Sequence, residues 1–356
     1  MKRKLVSALS LVIIAATPAS VAAAPVWQVH LKTGEVWLGE VEVIGKGNTW
    51  FFGEDNGPYL ESEDGEWVPA AYHWDGRTTR RIPLPEGLGS SFVDDADFAG
   101  PNDGWLVGTG EHLNLLVLHW DGKTWKVVRD RPTDGIGAEV KALGGGRALV
   151  TGFTKGRTEM TATFDGEVWR EAKDTLSLHD FSGRHALSWE SGKPGVRRWT
   201  GKRWTKVAVG ALPKSTKARP VTLHGLQAVS AENIWVIAER ATGQESAITY
   251  LLHWNGRSWK RERVPLPSPH AGLYLIAPDG RGGLWASGGT GYHYAGEDDP
   301  SDPLLYHRLP NGKWTKTKTD TVIDDLAAVP GTTSLWAVAR HGYSRDHTIL
   351  THNKPR

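Results

Sequence analysis

Three segments that separate predicted strands carry aromatic side chains beside charged ones: residues 54–67, 288–303 and 340–346. Aromatic faces stack on sugar rings, and carboxylates bind sugar hydroxyls, basic peptide groups or calcium. These residue types indicate a ligand-binding face rather than a reaction centre. The candidate ligand-binding residues are Tyr59, Trp67, Tyr292, Tyr294, Arg340, Tyr343 and Arg345.

An acidic run in the second segment contains oxygen ligands of the kind that calcium prefers. We consider Asp298, Asp299 and Asp302 as a possible calcium site, although their spacing is not that of an ordered calcium loop. A solvated acidic loop is the alternative, and no other cofactor is expected. Paired carboxylates on this face can also act as acid and base in glycoside cleavage. The sequence contains no catalytic signature, so we assign no catalytic residue and favour a protein that is not an enzyme.

Two repeated phrases define the elements that position these segments. A hairpin phrase, seen in full at 119–125 and 253–259, returns six times. A strand phrase, typified by residues 104–108, returns seven times, about 38 to 55 residues apart. This period is typical of a four-stranded propeller blade. Asp-Gly or Asn-Gly in the hairpin turn further predicts positive φ at both central positions. The sequence therefore predicts an all-β, seven-bladed β-propeller with four antiparallel strands per blade.

The two ends of the chain complete each other in this arrangement. The seventh blade stops after its third strand, near residue 353, whereas residues 25–30 resemble an outer strand without a blade. We therefore predict that the N-terminal strand completes the last blade and closes the ring, which removes exposed sheet edges. Blades 6, 7 and 1 then become neighbours, and the three candidate segments converge on one sector.

Repetition accounts for most of the 18 tryptophans. Large flat side chains suit the wedge between neighbouring blades, so we expect the repeat tryptophans to pack there. The recurrent His73, His119 and His253 belong to different blades, and hydrogen-bonded structural roles are expected for them. Three tryptophans lie off the repeat, Trp37, Trp67 and Trp189, and of these we select Trp67 as the ligand contact. The repeat set is Trp27, Trp50, Trp74, Trp105, Trp120, Trp125, Trp169, Trp199, Trp204, Trp235, Trp254, Trp259, Trp285, Trp314 and Trp336.

The whole pattern resembles secreted bacterial β-propellers of the kelch, Asp-box and WD-repeat types. The resemblance rests on the Trp-Asp-Gly-x-x-Trp hairpin, as at 120–125, which is similar to an Asp-box with one residue fewer between Asp and Gly. Asp-boxes in those families are structural turns, so the resemblance implies a fold and carries no activity.

The N-terminus has the pattern of a secretory signal: three basic residues at positions 2–4, an apolar run at 5–16 and small residues up to 24. We predict a signal peptide over 1–24, a single propeller domain over 25–356, and a secreted protein with no membrane span. Without the signal the chain holds 39 basic and 40 acidic residues, a formal net charge of −1. That balance does not favour nucleic acid as a partner. The absence of cysteine excludes disulfides and thiol catalysis.

The functional prediction is a non-catalytic, monomeric binding propeller. Its expected ligand is a glycan or an envelope or extracellular protein, held on the loop face of blades 6, 7 and 1. The alternative is a secreted polysaccharide hydrolase or lyase that uses acidic residues of the same face. Glycan and protein partners are not separated by the sequence.

Overall fold

Seven antiparallel sheets of four strands each form the protein, in the arrangement of a β-propeller. The computed structural model describes residues 27–34, 36–55, 67–128, 136–171, 177–190, 193–200, 203–243, 247–269, 271–290, 303–319, 321–340 and 347–352. Strand β1 spans Trp27–Lys32, and blade 1 is β2 (Val36–Gly45), β3 (Asn48–Asp55), β4 (Val68–Trp74) and β5 (Thr79–Ile82). Blade 2 is β6 (Phe92–Gly100), β7 (Asp103–Thr109), β8 (Leu115–Trp120) and β9 (Trp125–Val127), with a 3-10 turn at Glu111–Leu113. Blade 3 is β10 (Ile136–Ala142), β11 (Ala148–Phe153), β12 (Glu159–Phe164) and β13 (Trp169–Glu171).

The remaining blades follow the same order. Blade 4 is β14 (Ser177–Ser182), β15 (His185–Glu190), β16 (Lys193–Trp199) and β17 (Trp204–Val207). Blade 5 is β18 (Val221–Ser230), β19 (Asn233–Ala241), β20 (Ala247–Trp254) and β21 (Trp259–Glu262). Blade 6 is β22 (Gly272–Pro278), β23 (Leu284–Gly289), β24 (Pro303–Arg308) and β25 (Trp314–Lys318). Blade 7 contains β26 (Val322–Ala328), β27 (Leu335–Arg340) and β28 (His347–His352).

The predicted ring closure is confirmed. Strand β1 pairs antiparallel with β28, from Trp27 opposite His352 to Lys32 opposite Thr348, and supplies the fourth strand of blade 7. His30 secures the seam, because its Nε2 lies 2.8 Å from Thr351 Oγ1 and its ring lies 4.6 Å from that of Trp336. The closing strand thus adds side-chain contacts to its backbone pairing.

Packing between blades accounts for the tryptophans, as predicted. All fifteen repeat tryptophans are buried or partly buried, and the most buried include Trp50, Trp105, Trp235 and Trp336. One core cluster joins blades 7 and 1, since it contains both Leu38 and Trp336. Each sheet is covered on both faces by its neighbours, which is why apolar residues recur on both sides of the second strands.

The recurrent histidines have the predicted structural role. In blade 5 the His253 ring stacks on Trp235, with 3.7 Å between centroids and 5° between planes. Its Nε2 lies 3.0 Å from Asn233 Oδ1. His73 stacks on Trp50, and the His119 ring lies tilted against Trp105 at 4.5 Å between centroids. Each has an Asx oxygen near its Nε2, at 2.9 Å and 3.0 Å.

The hairpin turns differ from the prediction of two positive φ angles. In the first turn Gly76 has φ of +91°, whereas Asp75 is not among the described residues with positive φ. Trp74 pairs with Thr79, so the loop has four residues rather than two. The Asp75 carboxylate accepts hydrogen bonds from the backbone N–H groups of Arg77 and Thr78, both at 2.9 Å. The turn is therefore stabilised by these side-chain hydrogen bonds, and only its glycine needs a positive φ angle.

A bulge in the first strand of several blades explains a glycine of the strand phrase. In blade 2 the register shifts between Val93 and Asp95. The Phe92 carbonyl oxygen then lies so close to Gly108 that an added Cβ would clash with it. Gly53 meets the Trp37 carbonyl oxygen in the same way in blade 1. The bulge also lets consecutive residues, such as Asp94 and Asp95, both line the centre of the ring.

No helix among the described residues is long and apolar enough to cross a membrane.

Candidate functional site

The structure describes two of the seven predicted ligand-binding residues, Trp67 and Arg340. Both lie on what we call the upper face, the side of the ring where second strands end and third strands begin. Outside the described residues lie Tyr59, Tyr292, Tyr294, Tyr343 and Arg345, together with Asp298, Asp299 and Asp302 of the predicted calcium site. Their convergence on blades 6, 7 and 1 therefore stays a prediction.

Trp67 is partly exposed and packs against blade 2. Its ring lies 5.8 Å from that of Phe92, centroid to centroid. Its backbone is held on both sides, because its N–H donates to Ser90 Oγ at 3.2 Å and its carbonyl oxygen accepts from Ser91 N. Trp67 is thus a fixed aromatic side chain between blades 1 and 2.

Arg340 is held in a polar cluster where blade 7 meets blade 1. Its Nε donates to Asp324 Oδ1 at 3.0 Å, and the second oxygen of Asp324 lies 3.2 Å from Nε2 of the fully buried His347. The Arg340 guanidinium also lies over the Trp37 ring, 5.9 Å from its centroid. Trp37 is 40 % exposed, so this off-repeat tryptophan is a surface platform that sequence reasoning did not select.

An arc of exposed apolar side chains continues from Trp37 around the upper face of blades 1 to 3. Five of the nine large apolar side chains that are exposed in the described part of the chain lie here. Phe92 and Leu113 of blade 2 are 45 % and 47 % exposed. Several exposed apolar side chains on one face are typical of interaction sites. The members of this apolar arc are Trp37, Val68, Phe92, Leu113 and Phe153.

The first strands of the blades surround a central channel with a cavity of about 690 Å³. One position, directly after or within the bulge, holds a carboxylate in five consecutive blades, 7, 1, 2, 3 and 4. In blades 5 and 6 the same position holds Gly225 and Leu275. The channel is therefore acidic on one side only. The five carboxylates of this acidic ring are Asp325, Glu40, Asp95, Glu139 and Asp180.

Members of the acidic ring hydrogen-bond the next blade. Asp95 Oδ2 accepts from Val140 N at 2.7 Å, and Asp325 Oδ2 accepts from Val41 N at 2.8 Å. Asp180 bonds the first strand of blade 5 in the same manner. These carboxylates couple neighbouring blades through one oxygen, while they also line the channel.

Burial perturbs the acidity of the ring. Burial is the main cause that raises the pKa of Asp325 to about 6 and that of Glu139 to about 8. It also raises the pKa of Glu40 and Asp95 well above the ordinary range, with further contributions from neighbouring carboxylates. At neutral pH Glu139 therefore largely keeps its proton.

The channel lining is polar around its whole circumference. Its described residues include eight carboxylates but a single lysine, Lys141, whose Nζ lies 2.8 Å from Asp97 Oδ2. His179, His224 and Tyr274 line the side towards blades 4 to 6. Within the described residues no group of three or more His, Asp or Glu side chains is arranged to hold a metal ion. The calcium site thus stays a prediction on Asp298, Asp299 and Asp302.

Comparison with known proteins shows the fold and does not show a family. No family model matches the chain, and no curated protein matches it in sequence. Among solved structures, YCF48 bound to D1 peptide superposes with a TM-score of 0.58 at 16 % identity, over 93 % of this chain and 97 % of that one. The Cps50 (Swd1) β-propeller domain of Myceliophteria thermophila has a TM-score of 0.52 at 14 % identity, over 91 % and 99 %.

An enzyme is also among the structural neighbours. The GH74 xyloglucanase of Xanthomonas campestris has a TM-score of 0.56 at 16 % identity, over 88 % of this chain. This chain spans about half of that enzyme, 53 % of its length. At these identities the likenesses define a seven-bladed β-propeller, a class that includes both binding proteins and hydrolases.

Proposed function

We propose that this propeller is a binding module for a polypeptide segment that is both basic and apolar, held on the upper face across the channel mouth. The observation that carries the proposal is that the apolar arc and the acidic ring share blades 1 to 3 and meet in blade 3, where Phe153 and Glu139 line one cavity. Blades 1, 2 and 3 each contribute residues to both surfaces. Trp37, Phe92 and Phe153 belong to the arc, and Glu40, Asp95 and Glu139 belong to the ring. An amphipathic partner matches both surfaces at once.

Charge favours a cationic partner over a neutral one. Each ring carboxylate is costly to ionise in the free protein because it is buried beside others of the same sign. A lysine or arginine at the channel mouth offsets that cost and takes the place of the protons. The apolar arc then supplies the buried area that a charged contact alone lacks.

The proposed face overlaps the sector predicted from the sequence. Arg340 and Trp67, two of the predicted contacts, lie beside Trp37 and Phe92 at one end of the arc. The peptide in the YCF48 complex supports the proposal as a fold-level analogy only. The pattern of residues 1–24 supports export, so we propose an envelope or extracellular protein as the source of the segment.

The experiment measures binding of purified residues 25–356 to three immobilised 15-residue peptides made of Lys and Leu, Glu and Leu, or Lys and Ser. We expect retention of the Lys/Leu peptide, weaker binding of Lys/Ser, and none of Glu/Leu. Phe92→Ser should weaken Lys/Leu binding at least tenfold. The matched control is Val168→Ser, which removes a side chain of 47 % exposure from a hairpin at the opposite face. Equal binding of Lys/Leu and Glu/Leu peptides would refute the proposal.

A glycan ligand is the competing outcome, and it is tested in parallel on a panel of cell-wall polysaccharides with and without calcium. Retention by one polysaccharide, lost in Trp67→Ala or in Tyr294→Ala, would replace the peptide proposal by the glycan one. Product release from a retained polysaccharide, abolished by one acidic substitution, would establish the hydrolase or lyase alternative.

A further inference from the structure

A second cavity of about 410 Å³ opens on the upper face between blades 3 and 4. Phe153, at the end of β11 and 41 % exposed, lines one side, and Trp189, near the end of β15, lines the other. The floor joins the blades, because Thr151 Oγ1 donates to the Leu178 carbonyl oxygen at 2.8 Å in a buried hydrogen bond. Trp189 is thus an off-repeat tryptophan that faces a cavity.

Carboxylates complete the wall of this cavity. Glu159 pairs with Phe153 across β11 and β12, and Glu139 is shared between this cavity and the central channel. One Glu139 oxygen accepts a hydrogen bond from Asp180 N. Aromatic faces and carboxylates in one pocket attract a cation by the ring quadrupole and by direct charge. Apart from Thr151 and His179 the rest of the described lining is apolar, which suits the methylene stem of lysine or arginine.

The basic side chains near this cavity do not make it unsuitable for a cation. Lys155 and Arg157 belong to the hairpin between β11 and β12 and are not among the described residues that line the cavity. His179 does line it, but burial lowers its pKa, so its ring is neutral at neutral pH.

A cavity on the other side of blade 4 provides a contrast. It has a similar volume, about 490 Å³, and is lined by apolar residues and two hydroxyl side chains together with Lys193 and Lys217. No carboxylate is among its described lining residues. Two cavities on the same face therefore differ in charge, and only the one that meets the acidic ring is suited to a cation.

We propose that the cavity between blades 3 and 4 is a specificity pocket that takes one lysine or arginine side chain of the bound segment, with its stem between Phe153 and Trp189 and its charge at Glu139 and Glu159. This inference rests on the proposed function for its biological ligand, but the pocket itself can be tested with small probes.

The first experiment follows the indole N–H signal of Trp189 by NMR, assigned with Trp189→Phe, during titration with Nα-acetyl-lysine methylamide. We expect a saturable shift that the norleucine analogue, which lacks the charge, does not cause. Glu159→Gln should weaken the lysine probe at least fivefold, whereas Lys217→Gln in the basic cavity serves as the matched control and should leave it unchanged. Equal shifts with lysine and norleucine, or a larger shift with methyl glucoside, would overturn the pocket assignment.

Proton linkage provides a second readout. The titratable groups that line the pocket are Glu139, Glu159 and His179. Glu139 also interacts with the carboxylates of Asp180, Asp95 and Glu40 on the first strands of blades 4, 2 and 1. Because burial raises the pKa of Glu139 to about 8, a cation must displace its proton, and affinity should rise roughly 20-fold between pH 6.5 and 8.5, as the ionised fraction of Glu139 rises. Lysine keeps its charge over that range. Affinity that stays constant with pH would show that Glu139 does not contact the probe and would refute the assignment.

Failures of the two proposals can be told apart. A Lys/Leu peptide that binds the wild type and Glu159→Gln equally well would refute the pocket assignment but would still support the proposed binding function. If the lysine probe shifts the Trp189 signal but no peptide is retained, the proposed binding function would be refuted and the cation pocket would still be supported.

Discussion

Glu139→Gln is expected to stabilise the protein at high pH and to have a much smaller effect at low pH. The substituted amide oxygen still accepts the hydrogen bond from Asp180 N, so the contact between blades 3 and 4 is kept. What the substitution removes is a carboxyl that the fold holds in its protonated form. A group whose folded pKa is raised contributes stability at low pH that is lost as pH rises through the folded pKa.

The magnitude follows from the pKa of Glu139 in the folded protein, about 8, against about 4.3 in an unfolded chain. Each pKa unit corresponds to about 1.4 kcal/mol, so raising the pH from 6 to 9 should cost the wild type about 3 kcal/mol through this group. Glu139 is partly exposed, and solvent screening reduces the expected cost to about 2 kcal/mol. Glu139→Gln does not incur it.

The assay is urea unfolding of the wild type and Glu139→Gln at pH 6 and pH 9. For each protein the change in unfolding free energy between the two pH values is measured, and the two changes are then subtracted. That quantity cancels any change in packing that does not depend on pH. Glu171→Gln, on the exposed outer strand β13, is the control and should give a value near zero. A value near zero for Glu139→Gln as well would refute the view that burial in the channel opposes ionisation.

Three further predictions concern the fold. Removal of β1, Trp27–Lys32, should lower the stability of the whole domain by about 3 kcal/mol or more, since it exposes the edge of β28; hydrogen exchange confined to blade 7 would contradict this. Gly108→Ala should cost about 3 kcal/mol in thermal unfolding because its Cβ meets the Phe92 carbonyl, whereas Gly100→Ala, with open space around it, should cost under about 1 kcal/mol. Asp279→Ala should cost about 3 kcal/mol in urea unfolding, because this buried carboxylate accepts from two backbone N–H groups and lies 3.0 Å from His307 Nε2; equal stability of the variant would show that these contacts contribute little.

The confirmed predictions rest on short sequence patterns that are local in the chain. The hairpin and strand phrases repeat blade by blade, and the surplus strand at one end matches the missing strand at the other. The role of His253 could also be predicted, because an Asx residue two positions before a buried tryptophan, as in Asn233 and Trp235, recurs in blades 1 and 2. The turn geometry was wrong at Asp75, since the Asp-Gly rule for two-residue loops does not apply to a four-residue loop capped by a carboxylate.

The candidate site was only partly predictable. The sequence predicts Trp67 as a ligand contact, because it lies off the repeat at the end of a long loop. The sequence carries no comparable signal for Trp37, whose exposed ring lies beside Arg340. The acidic ring does have a sequence signal, an acid after the bulge in the first strand of five blades, but the signal appears only when those strands are aligned with one another. The repeated tryptophans are the more conspicuous pattern, and they lie on the second, third and fourth strands rather than on the first.

The number of blades, their strand order and the closure of the ring can be predicted from the sequence, because hydrophobic alternation, turn residues and repeat period act over short distances. What lies at the centre of the ring and on the upper face depends on contacts between residues that are far apart in the chain. Asp95 and Val140 are 45 positions apart and meet because the ring brings first strands side by side. The raised pKa of Glu139 likewise depends on burial by neighbouring blades, and burial is a property of the closed ring rather than of any one repeat.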